Sequence, residues 1–244
     1  MTSRFPRLIA HRCGGALAPE NTLAGLRVAA DFGYHGVEFD VMLAADGTPI
    51  LIHDETLERT TNGRGRVADT SDAELARLDA GSWHGAQFAG EPVPTFGDAA
   101  ESCLALGLWA NVEIKPSRGH ESETGRKVAL AARDLWQDMP PLLLSSFSIE
   151  ALTAARAAVP DLPRGLLVVA PPKDWLGTCR RLECVSLHCS RRFFSPQLLD
   201  EARAADIPLL LYTVNDPLDA AQLLRQGVAA VFTDRIDLIS ERVP

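Results

Sequence analysis

Val37-Glu38-Phe39-Asp40-Val41 places apolar residues at its odd positions and carboxylates at its even positions. Because successive side chains of a β-strand point to opposite faces, Glu38 and Asp40 share one face and the apolar side chains share the other. In a barrel covered by helices the apolar face would meet the helices, so both acids would point inward. Two unpaired carboxylates inside a protein are unfavourable, and the pattern therefore indicates a cationic partner between them.

Short apolar runs alternate with helix-like segments on both sides of this stretch. The candidate strands are Leu8–Ala10, Gly36–Leu43, Ile50–Ile52, Trp109–Ile114, Leu142–Leu144, Gly165–Val169, Cys184–Leu187, Pro208–Val214 and Ala229–Phe232. The candidate helices are Thr22–Phe32, Phe96–Leu106, Ser122–Trp136, Ile149–Ala158, Pro196–Ala205 and Pro217–Gln226. This alternation predicts an α/β fold whose parallel sheet is covered by helices.

The number of candidate strands favours a closed sheet. Eight or nine strands in a chain of 244 residues favour a single (β/α)8 TIM barrel over an open doubly wound sheet. No Gly-x-Gly-x-x-Gly motif follows the first candidate strand, which also disfavours a dinucleotide-binding sheet. The sequence shows no internal repeat or linker, so residues 1–244 are predicted to form one domain.

One segment, Glu55–Pro94, interrupts the alternation because it is too long for an ordinary connection between elements. It contains the turn-rich stretches Thr60-Thr61-Asn62-Gly63 and Gly81-Ser82-Trp83. We therefore predict an irregular insertion that lies over one end of the barrel.

The charge and hydropathy of the chain disfavour binding to nucleic acid and insertion into a membrane. A formal net charge of -8 at pH 7 disfavours nonspecific binding to nucleic acid or to an anionic membrane. No stretch approaches the roughly 18 to 20 uninterrupted apolar residues of a membrane span. Met1–Arg7 lacks the features of a signal peptide, and the five cysteines are odd in number and widely spread. We therefore expect a cytoplasmic protein without membrane insertion.

A second polar row occurs in Asn111-Val112-Glu113-Ile114-Lys115, where the three polar side chains share one strand face. Barrel strands end at a common C-terminal face, where active sites of such barrels lie. The two polar rows are therefore expected to converge at that face.

Glu38, Asp40 and Glu113 would then form an all-oxygen set with no cysteine nearby. Such a set suits a hard cation, Mg2+ or Ca2+, better than zinc. Ordinary ion pairs with Lys115 and Arg12 would explain the same acids, and the pattern alone leaves both interpretations open.

Two histidines favour a catalytic interpretation. His11 directly follows the first candidate strand, and His53 directly follows Ile50–Ile52, so each is predicted to lie where a strand meets the active face. Two histidines opposite three acids fit general acid–base chemistry on an anionic substrate. Arg12 can bind a phosphate through two parallel hydrogen bonds, and Lys115 adds a point charge.

Eight short motifs follow one another from Ala10 to Asp237. They are His11-Arg12, Pro19-Glu20-Asn21-Thr22, Glu38-Phe39-Asp40, His53-Asp54-Glu55-Thr56-Leu57-Glu58-Arg59-Thr60-Thr61-Asn62-Gly63, Glu113-Ile114-Lys115, Ser145-Ser146-Phe147, Thr213-Val214-Asn215-Asp216 and Thr233-Asp234-Arg235. Each motif is weak alone, but the ordered series is highly specific. It resembles the glycerophosphodiester phosphodiesterase family, and most closely its short cytoplasmic bacterial members.

The resemblance implies a TIM barrel with an insertion after the second βα unit, which is where Glu55–Pro94 falls. It implies cleavage of small glycerophosphodiesters, such as glycerophosphocholine or glycerophosphoethanolamine, to sn-glycerol 3-phosphate and an alcohol. It implies one divalent cation, Mg2+ or Ca2+ with Mn2+ as a further candidate. By motif matching, the acid–base pair is His11 and His53, the metal ligands are Glu38, Asp40 and Glu113, and the phosphate-binding residues are Arg12 and Lys115.

One position departs from the family pattern. The family usually has glycine directly after His-Arg, whereas this chain has Cys13 followed by Gly14-Gly15. Glycine permits a left-handed turn that cysteine disfavours, so we expect the local loop shape to differ, with the neighbouring glycines taking up the turn.

Four further residues are candidates for the pocket: Glu20, Phe147, His188 and Tyr212. Glu20 either orients a catalytic side chain or caps the helix that begins near Asn21. His188 follows a candidate strand and could line the pocket. Phe147 and Tyr212 would form an apolar wall for carbon atoms of the substrate, or else belong to the core.

Two other functions compete with hydrolysis of soluble diesters. A lipid-cleaving phospholipase of the same barrel type would carry an exposed apolar rim or an amphipathic membrane helix, and the sequence shows no convincing one. A catalytically silent binding barrel would lack at least one of the two histidines or three acids, and all five are present.

Overall fold

The computed structural model describes residues 5–136 and 142–240. Its strands are β1 (Leu8–Ala10), β2 (Gly36–Leu43), β3 (Pro49–Leu51), β4 (Trp109–Ile114), β5 (Leu143–Ser146), β6 (Arg164–Val168), β7 (Ser186–Ser190), β8 (Leu209–Tyr212) and β9 (Ala230–Thr233). Its α-helices are α1 (Leu23–Asp31), α2 (Asp72–Leu75), α3 (Phe96–Leu106), α4 (Glu121–Leu135), α5 (Ile149–Ala158), α6 (Trp175–Leu182), α7 (Pro196–Ala204) and α8 (Pro217–Gln226).

Eight of these strands form a closed parallel barrel. Their order is β1-β2-β4-β5-β6-β7-β8-β9, and the pairing of β9 with β1 closes the sheet. An α-helix lies between each pair of consecutive barrel strands, and within the described ranges none follows β9. The predicted (β/α)8 TIM barrel is confirmed. None of the helices that the structure describes is long and apolar enough to cross a membrane.

The apolar rows of the strands pack outward, as predicted. Val37, Phe39 and Val41 are fully buried in the main hydrophobic cluster, which also contains residues of α1 and α3. Phe39 meets Phe96 of α3 edge to face at 6.2 Å between ring centroids. Burying each such side chain contributes roughly 2–3 kcal/mol, so the outer layer fixes which strand face points inward.

The barrel interior changes from apolar to charged along the strand direction. Trp109, at the start of β4, joins Ile9, Leu143 and Leu210 in a separate apolar cluster. Farther along β4, on the same face, come Asn111 and then Glu113. The apolar layer closes the N-terminal end of the barrel, and the polar side chains collect at its C-terminal end.

The long segment leaves the barrel earlier than predicted. β3 pairs antiparallel with the end of β2, at Val41↔Leu51 and Leu43↔Pro49, so it runs against the barrel strands and is not one of them. Residues 44–95 therefore connect β2 to α3 inside the second βα unit, and not after it. The returning hairpin brings Ile52 to the end of β2, where its N–H donates to the Asp40 carbonyl at 3.2 Å.

The inserted segment has a small apolar cluster of its own. Its buried members are Met42, Ala44, Ile50, Ile52, Leu57, Val67, Leu75, Ala80 and Val93. This cluster is separate from the one beneath the barrel helices. The two parts of the chain are thus stabilised by different sets of apolar contacts.

Helix α6 was not among the candidate helices. Its buried residues are Trp175, Thr178, Cys179 and Leu182, which lie at helical spacing on one face. The segment is only eight residues long and contains Gly177, which weakens its helical signal. The spacing of its buried residues is the signal that could have identified it.

Candidate active site

The residues singled out in the motifs meet at the C-terminal end of the barrel. One cavity of about 200 Å³ is lined on one side by His11, Arg12, Glu38, Asp40, His53, Asn111, Glu113 and Lys115. Its other side is lined by Phe147, Leu167, His188, Tyr212, Thr213 and Phe232. The ionic half lies on or directly after β1, β2 and β4, except for His53, which follows β3 in the inserted segment, and the more apolar half lies on or directly after β5 to β9.

The three acids form the floor of the ionic half. Each of Glu38, Asp40 and Glu113 is buried, and one oxygen from each lies within 4.8 Å of the others. The register of β2 and β4 places Asp40 directly beside Glu113. Burial and the charge of Asp40 raise the pKa of Glu38 to about 7, and the same two causes raise the pKa of Glu113 to about 8.

The basic neighbours offset only part of this negative charge. Lys115 Nζ lies 3.1 Å from both Asp40 Oδ1 and Glu113 Oε1, and Arg12 Nε lies 3.9 Å from Asp40 Oδ2. Glu38 Oε2 accepts a hydrogen bond from the Arg12 backbone N–H at 2.9 Å. Its Oε1 is buried and has no hydrogen-bond partner in the part of the chain that the structure describes. Three close carboxylates, one with a free buried oxygen, fit an oxygen-coordinated divalent cation.

Asn21 holds Asp40 in place, a role that the sequence did not indicate. Its side-chain amide donates to Asp40 Oδ2 at 2.9 Å, and its side-chain oxygen accepts from the Asp40 N–H at 3.0 Å. Burial opposes the charged form of Asp40, but Lys115 and His53 are among the groups that lower its pKa below the ordinary value. Asp40 is therefore a carboxylate fixed in one orientation.

His11 is held by an aspartate from the other end of the chain. His11 Nδ1 lies 2.7 Å from Asp234 Oδ1, and Asp234 Oδ2 accepts from the Asn215 side chain at 2.9 Å. His11 Nε2 lies 3.9 Å from Glu38 Oε2. Burial opposes the charged imidazolium, but Asp234 and Glu38 together raise the pKa of His11 above its ordinary value.

His53 has a similar partner but lies on the inserted segment. Its Nδ1 lies 2.6 Å from Asp54 Oδ1. Arg59 Nε donates to Asp54 Oδ2 at 2.5 Å, and this hydrogen bond is the main cause that lowers the pKa of Asp54. Burial lowers the pKa of His53 below its ordinary value, and the charges of Lys115 and Arg12 add to that effect.

The loop after β1 adopts the left-handed turn in spite of Cys13. Arg12 has φ 50° and Cys13 has φ 73°, and Gly15 is also left-handed at φ 58°. Gly15 takes up part of the turn as expected, but Arg12 and Cys13 are left-handed as well, which the sequence did not lead us to expect. The Cys13 N–H donates to the Glu38 carbonyl at 2.7 Å, and its side chain is fully buried against α1. These contacts offset a left-handed conformation that costs roughly 1–2 kcal/mol.

The four pocket candidates occupy different places. Phe147 meets Tyr212 edge to face at 6.1 Å, and both line the apolar half of the cavity. His188 is fully buried in the same wall, where burial lowers its pKa to about 3, so its ring is neutral near pH 7. Glu20 does not line the cavity and does not cap α1, since the side chain of Thr22 does so.

Glu20 instead binds Arg12, which lines the cavity. Its Oε1 accepts from Arg12 at 3.0 Å, and both of its oxygens accept from Arg59 at 2.8 Å. These hydrogen bonds favour its charged form, so the pKa of Glu20 is lowered although burial opposes this. Asp234, Asp54 and Arg59 are the other polar side chains whose roles the sequence did not indicate.

The chain is similar to known phosphodiesterases over most of its length. The model of the glycerophosphoryl diester phosphodiesterase family matches residues 11–238. A glycerophosphodiester phosphodiesterase of Caldanaerobacter subterraneus subsp. tengcongensis is 33% identical over 93% of each chain. The solved structure of an Oleispira antarctica phosphodiesterase in complex with the product sn-glycerol-3-phosphate is 43% identical. It covers 94% of this chain and 93% of its own, with a TM-score of 0.90.

A third comparison extends to a more distant relative. A glycerophosphodiester phosphodiesterase of Agrobacterium tumefaciens is 27% identical and superposes with a TM-score of 0.77, over 96% of this chain and 98% of its own. The family match, over residues 11–238, covers the barrel strands from β2 to β9, the inserted segment and every side chain of the ionic half of the cavity. The chain therefore belongs to the glycerophosphoryl diester phosphodiesterase family and is a phosphoric diester hydrolase.

Proposed function

We propose that this enzyme hydrolyses small glycerophosphodiesters to sn-glycerol 3-phosphate and an alcohol, with a divalent cation and two histidines. The observation that carries the proposal is the ionic half of the cavity. There, two histidines held by aspartates face three buried acids and two basic side chains, Arg12 and Lys115. The complex of the Oleispira antarctica relative with sn-glycerol-3-phosphate supports the product.

Glu38, Asp40 and Glu113 would hold one divalent cation, Mg2+ or Ca2+, with Mn2+ as a further candidate. When bound, the cation would supply positive charge to the phosphate oxygens of the substrate. Arg12 and Lys115 line the same side of the cavity and would bind the phosphate. Binding through these groups would hold the phosphate in the cavity that both histidines line.

His11 and His53 would divide the two proton transfers. Each directs Nδ1 to an aspartate, which leaves Nε2 to exchange a proton with the substrate. One histidine would take the proton of the glycerol 2-hydroxyl as its oxygen bonds to phosphorus. The other would protonate the alcohol oxygen as its bond to phosphorus breaks. Water would then open the cyclic phosphate with the two roles reversed.

A hydrolysis screen tests the proposal. Purified protein is incubated with several glycerophosphodiesters and with Mg2+, Mn2+ or Ca2+, and sn-glycerol 3-phosphate is measured with a stereospecific dehydrogenase. We expect this product from at least one diester in the presence of a cation. Release of a phosphorylated alcohol, or no turnover of any diester by folded protein, would overturn the proposal.

A lipid substrate is a second candidate, because the catalytic face carries exposed apolar side chains that the sequence did not reveal. They are Phe147 (44% exposed), Ile149 (51%), Val169 (56%), Phe193 (48%) and Leu218 (79%). Each follows one of the consecutive strands β5 to β8 and so belongs to the C-terminal end of the barrel, and Phe147 also lines the cavity.

Comparison of two substrates separates the candidates. Glycerophosphocholine and a soluble lysophosphatidylcholine, kept below its micelle concentration, are assayed with the parent and with the double variant Val169→Ser, Phe193→Ser. A lipid function predicts faster parental cleavage of the acylated diester and its selective loss in the variant. Hydrolysis of soluble diesters predicts faster cleavage of glycerophosphocholine, unchanged by the variant.

A further inference from the structure

One arginine of the inserted segment contacts two carboxylates with its whole guanidinium group. Arg59 Nη1 and Nη2 donate to the two oxygens of Glu20, each at 2.8 Å. Arg59 Nε and Nη2 donate to the two oxygens of Asp54, at 2.5 Å and 3.0 Å. Both contacts are bidentate, which is the geometry that fixes a planar guanidinium and a carboxylate most firmly.

The two carboxylates each hold a different residue of the ionic half. Asp54 is the partner of His53 at 2.6 Å, and Glu20 accepts from Arg12 at 3.0 Å. An unbroken series of hydrogen bonds therefore runs from Arg12 through Glu20, Arg59 and Asp54 to His53. It joins the loop after β1 to the inserted segment, which share no strand pairing.

This network differs from an ordinary surface ion pair. The Arg59 side chain is 43% exposed, and a single exposed pair contributes little to stability. Glu20, however, is only 13% exposed in its side chain, and its two arginine partners approach it from two separate segments. The inserted segment also has a separate apolar cluster, to which Arg59 does not belong.

We propose that Arg59 is a positioning residue that fixes Asp54, and through it the ring of His53, while it holds Glu20 against Arg12. The proposal rests on the proposed function, in which His53 transfers a proton. Without Arg59, Asp54 is free to rotate and its charge is less well offset. The His53 ring then spends less time with Nε2 toward the substrate, so turnover falls more than binding does.

Steady-state kinetics of three variants test the proposal. Arg59→Ala removes the guanidinium, Arg59→Lys keeps the charge without the bidentate geometry, and Arg66→Ala is the matched control. Arg66 lies in the same segment, is half exposed and pairs with Glu55 at 3.3 Å, away from the cavity. We expect kcat to fall about 10- to 100-fold in Arg59→Ala, with KM changed less than about threefold.

The other variants place limits on this result. Arg59→Lys should recover part of the lost kcat, and Arg66→Ala should match the parent in kcat, KM and Tm. A kcat of Arg59→Ala within twofold of the parent would overturn the proposal. So would a rise in KM alone, or equal losses in Arg59→Ala and Arg66→Ala. If Arg59→Ala does not fold, Arg59→Lys carries the same comparison.

Titration of His53 by NMR provides a readout that needs no substrate. The charged groups that act on this ring are Asp54 on its own loop, Asp40 on β2, Lys115 after β4, and Arg12 and Glu20 on the loop after β1. Removal of the Arg59 guanidinium takes a positive charge away from the Asp54–His53 pair, so the pKa of His53 should rise by roughly half a unit in Arg59→Ala and stay unchanged in Arg66→Ala. His53→Gln identifies the signal.

The two readouts distinguish the possible failures. If the parent hydrolyses no diester, the proposed function fails and the NMR titration still tests the contact with His53. If the parent is active and His53 titrates identically in parent and Arg59→Ala, the positioning role alone fails.

Discussion

Two histidine–aspartate pairs face one cavity from regions of different construction. His11 and Asp234 lie on the seam where β1 and β9 close the barrel. His53 and Asp54 are neighbours in sequence on the inserted segment, outside the eight barrel strands. The surroundings raise the pKa of His11 and lower the pKa of His53. Each histidine thus contacts an aspartate, yet the two pKa values are shifted in opposite directions. The proposed pair of one acid and one base requires such a difference.

The largest effect is expected from the acids that both regions share. Asp40→Ala removes one of three close carboxylates, so cation binding should be lost while the fold remains. Chelation should likewise reduce parental turnover to background, and added Mg2+ or Ca2+ should restore it. Calorimetric cation titration and circular dichroism measure these two effects. Full activity of metal-stripped protein would contradict the proposed cation.

Substitution of each histidine tests whether the two regions contribute equally. His11→Ala and His53→Ala should each lower turnover about 100-fold or more, because each removes one proton transfer. Cation and substrate binding should survive much better than turnover. Single-turnover rates and binding titrations separate these quantities. Near-parental turnover of both variants would refute the catalytic roles.

The sequence predicted more of the cavity's residues on the barrel strands than on the inserted segment. The acids on β2 and β4 and His11 follow from strand alternation, because parallel strands end at one face. Asp234 could not be assigned as the partner of His11, since 223 residues separate them and only barrel closure brings them together. Its position directly after the last strand was the available signal.

The sequence placed His53 at the active face correctly, but for a partly wrong reason. The sequence predicts that it ends a strand at the active face, whereas β3 runs antiparallel to the barrel. The hairpin returns the chain to Asp40, and so His53 reaches the cavity from the opposite direction. Only five residues, 44–48, join β2 to β3, so this antiparallel hairpin is a local feature, and Asp46-Gly47 was the turn signal that could have identified it. The contact of Arg59 with Glu20 has no such local signal, since 39 residues separate the two.

Trimming the inserted segment tests how much support His53 receives from it. His53 belongs to this segment and lines the cavity. The outer part of the segment contacts the loop after β1 through His84, whose Nε2 lies 3.2 Å from the Ala16 carbonyl oxygen. Replacing about Ala68 to Gly90 with a short linker should leave a folded barrel and lower turnover about tenfold. Thermal unfolding and steady-state kinetics measure both. An insoluble protein, or full activity, would show that the segment has another role.

The smallest effect, and the sharpest comparison, is expected from replacing each aspartate with asparagine. If protonated His11 and neutral His53 form the active state, turnover is lost as pH falls through the pKa of His53 and as pH rises through that of His11. The parental profile of kcat/KM should therefore be bell-shaped. Both aspartates raise the pKa of their histidine, so both substitutions lower it.

The two substitutions should change the width of the bell in opposite directions. Asp234→Asn moves the alkaline limb to lower pH and narrows the active range. Asp54→Asn moves the acidic limb to lower pH and widens it. Turnover at the optimum should fall about tenfold in each, at the lower end of the range expected for Arg59→Ala, because the imidazoles remain. Profiles measured at saturating cation check this. If Asp234→Asn moves the acidic limb instead, His11 acts in its neutral form and the two regions exchange roles.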